Sequence, residues 1–436
     1  MNFFDFSPIQ PPFLIVFLTS VALAYSVGSF ILYFLPKNPS ISSVFPVFIR
    51  LSLGLLIPII LWAIFQTQGK TVLFLGLLPM GFVLLKTKRQ RTPNSSRPFN
   101  FSLSNKVQFL LMAFIIYGLQ IFFFTGFKKG VAVPPDIALY AEMAHYLGHG
   151  MENFYGNVNE LNLPEYQFTT PYHYFELWMC HLVSFLFPSF SMPRILLFVV
   201  YPVLIFTFAI GIYEFVFSRI KRGWRALFLS IFALFAGAVF SDILYPIWAF
   251  LGHWQIVFET SGFVNGTGVF SHHGQKMLPI YILTLWIVVL WLMHLRLSSL
   301  AVLILIPIVN IGPAFAIFPS VFVLIFLSVI WPKNSTFPFS FLKKDGWIAV
   351  LVFGSIVLFY LLTGDYFYDQ KQTGNTGFLN NAVNIRGLIV GGLLRVFAAW
   401  LMVAALFSPI LMLFFIKKGS KKRIAGIQSL YSFLSL

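Results

Sequence analysis

Residues 195–217 read ILLFVVYPVLIFTFAIGIYEFVF. A bilayer is crossed by about 20 apolar residues of helix, so this run is long enough to span one. Pro202 lies inside it, and within a membrane a proline kinks a helix rather than ending it, because neighbouring groups re-satisfy the freed backbone. Comparable runs recur at 12–35, 46–66, 71–86, 107–126, 224–241, 279–295, 298–313, 315–331, 346–363 and 389–416, the pair 298–331 reading either as two spans or as one helix broken at Asn310, Gly312 and Pro313. Of 436 residues, 58% are hydrophobic and only 10% charged, whereas soluble domains carry about 25% charged residues. That composition excludes a water-soluble fold, and the 55 phenylalanines suit a lipid-facing surface. The expected fold is an all-α integral membrane protein of about eleven transmembrane helices.

The net charge of +16 comes from 29 Lys and Arg against 13 Asp and Glu. In a soluble chain such a balance would suggest nucleic acid. Here the basic residues gather in short clusters between apolar runs, as cytoplasmic loops do, so no nucleic-acid partner is expected. The clusters are Lys86–Arg91, Arg219–Arg225, Lys343–Lys344 and Lys417–Arg423. All four fall inside only if residues 166–190 do not cross. That stretch carries His173, Glu176 and His181 among aromatics, a pattern suited to a helix lying in the interface, whereas a spanning helix would bury Glu176 at a cost of a few kcal/mol. The N-terminus is then outside and the C-terminus inside. This arrangement places every acidic residue outside except Glu214 and Asp345, and every histidine outside except His294. The polar chemistry is expected at the exoplasmic face.

Cys180 is the single cysteine, which excludes an internal disulfide and a cysteine-based metal cluster. The opening MNFFDFSPIQPP lacks the basic segment of a cleavable signal peptide, so the first apolar run is expected to remain as a span. The linker-like stretch Thr92–Pro98 divides three N-terminal helices, within 1–98, from a main module over 99–436.

Three outer loops are expected, at 127–194, 242–278 and 364–388. The first holds Pro134-Pro135-Asp136 and then Ile137-Ala138-Leu139-Tyr140, which read as a short helix ending at Gly148 and Gly150. Asp136 falls in its first turn, where the helix dipole favours an anion, and Tyr140 follows one turn later on the same face. Asp136 could equally serve as a plain helix cap. The second loop starts at Asp242 and ends in His272-His273-Gly274-Gln275-Lys276. Adjacent histidines without HExxH or CxxC spacing make a poor zinc signature. The third contains Asp365 and Asp369 and ends at Arg386, which sits where a cation would meet an anionic headgroup. No Walker, GxGxxG or GxSxG motif is present. Ionisable groups are nearly absent from the spans, Arg395 being the clearest exception, and this argues against an ion-coupled carrier.

An aspartate heading a long outer loop, then Thr170–Trp178, then Pro193-Arg194 opening the next span, with the basic turn Arg219–Arg225 and Asp242 at the head of the second loop, resembles the GT-C superfamily of polyprenyl-phosphate-dependent glycosyltransferases. The resemblance covers about 107–280. It implies an enzyme that moves a sugar from a polyprenyl-phosphate donor to a glycan, lipid or protein acceptor, in a bacterial cytoplasmic membrane with its active site on the outer face. By that resemblance Asp136 would be the general base, and Asp242 would orient the acceptor or share a divalent cation, Mg²⁺ or Mn²⁺, with it. Lys276, Arg386 and His272 or His273 would hold the donor phosphate, and Tyr140, His173 and Glu176 would complete the substrate-binding surface. Two other readings stay open. One is an O-antigen polymerase- or ligase-like enzyme, and the other is a non-enzymatic transporter or flippase for lipid-linked sugars.

Overall fold

The computed structural model describes residues 12–34, 45–66, 103–125, 135–147, 174–220, 222–235, 268–270 and 275–292, together with the single positions 299, 302, 306 and 309. Among these residues every regular element is helical and there is no strand. Among the described residues, four helices are long and apolar enough to cross a membrane, over Pro12–Tyr33, Pro46–Gln66, Ser104–Thr125 and Met192–Ile220. The expected spans 71–86, 315–331, 346–363 and 389–416 lie outside the described residues, as does most of 298–313.

The helices are α1 (Pro12–Phe34), α2 (Pro46–Gln66), α3 (Leu103–Thr125), α4 (Pro135–Leu147), α5 (Tyr174–Leu186), α6 (Met192–Ile220), α7 (Gly223–Phe235) and α8 (Leu278–Leu292). Side-chain contacts fix how they run. At one end Phe13 of α1 meets Phe190 and Phe198, Trp62 of α2 meets His181 of α5, and Gln120 of α3 meets Leu197. At the other, Phe48 of α2 meets Glu214, and Tyr213 of α6 donates to Gln108 of α3. Calling the first end upper, α1 and α6 run downward while α2 and α3 run upward. The chain therefore leaves α3 and enters α6 at the same end, with α4 and α5 between them. Helix α8 runs downward, placing Tyr281 against Phe208 and Trp286 against Phe48.

α6 is the axis of the bundle. Every residue from Ile195 to Val216 is buried, because α1, α2, α3, α5 and α8 all pack around it. The outer helices instead turn large apolar side chains outward, among them Phe30, Leu61, Phe65, Phe114 and Phe228. In water such a surface would aggregate, whereas in a bilayer it faces lipid. The α1–α2 hairpin is closed by glycine. A Cβ at Gly28 would overlap the Arg50 carbonyl and one at Gly54 the Ala24 carbonyl, and small residues of this kind are what lets helix backbones meet inside a membrane.

Among the polar contacts that join the long helices, two satisfy backbone groups left without a partner. α2 begins at Pro46 with Phe45 before it, so no side-chain oxygen stands in the usual capping place. The cap comes instead from Glu214, whose Oε1 accepts from Val47 N at 2.9 Å and Oε2 from Phe48 N at 3.0 Å. The second feature is in α6, where residues Leu196–Val200 form a π-wide turn. The Tyr201 N–H donates to the Leu196 carbonyl and Pro202 has no N–H, so neither backbone donor is left to the Leu197 carbonyl. The Gln120 amide fills the gap, its Nε2 donating to that oxygen at 2.9 Å.

Candidate functional site

Pieces of the first and second expected outer loops meet at the upper end. α4 starts at Pro135, which is suited to a first helical position because its missing N–H would have no partner there, and it puts Asp136 in the first turn. Ile137, Tyr140, Ala141, Ala144 and Leu147 are buried, whereas Leu139 and His145 are exposed. The buried side packs against α5 and against the first residues of α6.

Tyr140 is 4% exposed, and the Lys276 Nζ stands 4.6 Å from its ring centroid. Lys276 is itself only 8% exposed. A buried ammonium over a tyrosine face gains roughly 1–2 kcal/mol. Two residues that the sequence marks for substrate binding, from separate loops, are thus neighbours in space.

Beside Lys276, Gln275 is fully buried and its Nε2 donates to Gln120 Oε1 at 2.9 Å. The short turn Gly268–Phe270 is held nearby, Phe270 stacking on Phe123 of α3 and on Phe235 of α7, both at 5.4 Å. These two contacts draw the end of the second loop onto the upper end of α3.

Glu176 departs from its expected setting. It lies in the first turn of α5, but at 2% exposure it is inside the protein rather than at a wet interface. The reason is packing: α2, α4 and the start of α6 cover α5, and residues Phe175–Cys180 are all buried. At 13 residues, or about 20 Å, α5 is too short to cross a bilayer core of about 30 Å. Its outer half is tied to α2 by Trp62, whose Nε1 donates to His181 Nδ1 at 2.8 Å, with the two rings 5.7 Å apart. Burial pushes the Cys180 thiol well above its usual range.

Asp242, His173, His272, His273 and Arg386 lie outside the described residues, as do Asp365, Asp369 and the whole of 364–388. Among the described residues no three His, Cys, Asp or Glu side chains come together to hold a metal. One cation that these residues place against α4 is the Lys276 ammonium, over Tyr140.

Gln120 and Gln275 were not marked by the sequence reading. Neither is charged and neither belongs to a motif. The signal available was that an amide at the end of an apolar run must find a partner once buried. Compared with protein families, curated proteins and solved structures, the chain matches none.

Proposed function

We propose that this chain is a GT-C-type glycosyltransferase that moves a sugar from a polyprenyl-phosphate donor to an acceptor hydroxyl at the exoplasmic face. The observation that carries the proposal is the placement of Lys276 over Tyr140, on the helix whose first turn holds Asp136. The reaction needs a base for the acceptor hydroxyl and a positive charge for the departing phosphate. Asp136 takes the hydroxyl proton, in the first helical turn where the dipole favours an anion. The acceptor oxygen bonds to the sugar's anomeric carbon as the bond from that carbon to the phosphate oxygen breaks, its electron pair leaving with the phosphate. Lys276 and Arg386 meet that phosphate, aided by His272 or His273. Arg386 can grip two oxygens at once, which a lysine cannot. Tyr140 and His173 shape the pocket around the donor, and the buried Glu176 supports it from within the fold.

Asp242 either orients the acceptor or shares a divalent cation with Asp136. EDTA followed by Mg²⁺ or Mn²⁺ separates these roles, because only a shared cation makes transfer metal-dependent. Donor titration on purified variants tests the proposal. Lys276→Ala and Arg386→Ala should each raise the donor KM about tenfold, the weight of one charge-assisted hydrogen bond, with Arg386→Lys only partly rescued. Unchanged KM and kcat in both alanine variants would overturn the phosphate site.

A further inference from the structure

The polarity of the amide chain at the π-wide turn is forced from one end. A backbone carbonyl can only accept, so Gln120 must present its NH₂ to Leu197 and its oxygen to Gln275. Gln275 must then present its own NH₂ to Gln120. Its remaining oxygen, Gln275 Oε1, is buried and takes no hydrogen bond from any described residue. A buried amide left half-satisfied costs stability relative to an apolar side chain of the same size. Packing alone would favour leucine or methionine at 275, so the glutamine needs another reason.

Its place in the chain supplies one. Gln275 and Lys276 open the helical stretch that continues as α8, and the residue after Gln275 is the one that stands over Tyr140. The Leu197 carbonyl belongs to α6, the most deeply buried of the described long helices, and it lacks a backbone donor because of Pro202. Through Gln120 that fixed carbonyl holds Gln275, and through Gln275 it sets the height and rotation of the backbone that carries Lys276. π-wide turns recur at functional sites, and here the turn exposes the acceptor on which the clamp is built.

We infer that Gln275, anchored through Gln120 to the Leu197 carbonyl, is the positioning residue that holds Lys276 over Tyr140. In this role it deepens the function proposed above, because Lys276 is the cation that meets the donor phosphate. Leu197 anchors, Gln120 relays, and Gln275 places its neighbour.

The test uses the purified full chain with Lys276 intact. Gln275→Leu removes the donor without leaving a void, and Gln275→Met is a second variant of similar reach. Acylation by N-hydroxysuccinimidyl acetate, read at Lys276 by peptide mass spectrometry, reports position without any turnover. The rate at Lys276 should be low in the wild type and should rise about fivefold in both variants, the equilibrium weight of one ordinary buried hydrogen bond. Thermal midpoints should stay close to wild type. Donor KM should rise by a similar factor while kcat holds. Wild-type acylation of Lys276 in both variants would overturn the clamp, whatever the kinetics. Raised acylation with an unchanged donor KM would support the clamp and contradict the phosphate reading instead.

Discussion

Glu214 shows how one side chain can decide where a helix starts. α2 opens with a proline and no capping side chain of its own, leaving the N–H groups of Val47 and Phe48 to be satisfied from elsewhere. Both go to a carboxyl 167 residues from Val47 in sequence. Removing an acceptor from a buried donor costs more than the hydrogen bond itself contributed, because the desolvated N–H remains. Glu214→Leu orphans both N–H groups and should cost about 3 kcal/mol of stability, and Glu214→Gln, which keeps one carbonyl oxygen, about 1 kcal/mol. Thermal unfolding in detergent measures both, and a Glu214→Leu protein as stable as wild type would contradict the capping role. The carboxyl itself was visible in the sequence as a charge in an apolar run. Its partner was not, because a helix N-terminus lacking a cap looks like any other apolar segment until the two are brought together.

At the level of elements, legibility followed the source of each helix's stability. α1, α2 and α6 were readable to within a few residues, because each is a predominantly apolar run of spanning length bounded by proline or charge, and length and hydropathy set their ends. α4 was readable from Pro135 and the glycines after Leu147. The setting of α5 was not. Its Glu176 and histidines suggested a helix lying in the interface, whereas tertiary packing buries its first half and ties His181 to Trp62. The π-wide turn was half legible. Pro202 announced a disturbance in α6, but the relief came from Gln120, an uncharged residue on another helix. Of the candidate site, Tyr140 and Lys276 were each marked separately. Their juxtaposition is a property of the fold, made by the stacking of Phe270 on Phe123 and by the amide chain.

Across the whole molecule the two ends carry different chemistry. The lower end holds Glu214 with the start of α2, and leads into the basic turn Arg219–Arg225. The upper end holds Asp136's helix, Lys276, Gln120, Gln275 and the Trp62–His181 pair. If the basic turn is cytoplasmic, the upper end is exoplasmic, where a lipid-linked sugar would be used. Glu160→Cys and Ile220→Cys should therefore react with a membrane-impermeant maleimide from opposite sides. The native chain serves as the blank, because the buried Cys180 thiol is held in its unreactive protonated form. Labelling of both positions from one side would contradict the assignment of 127–194 as one outer loop followed by a single crossing. The central claim is that the upper end performs sugar transfer with Asp136 as base. It is tested most directly by reconstituting the full chain with a polyprenyl-phosphate sugar and comparing wild type with Asp136→Asn, a substitution that keeps shape and capping ability but removes the basic charge. The account predicts that the wild type consumes the donor and that the variant, equally stable, is slower by about 10²–10⁴. Equal rates in the two proteins, or a donor that crosses the bilayer unchanged, would contradict it.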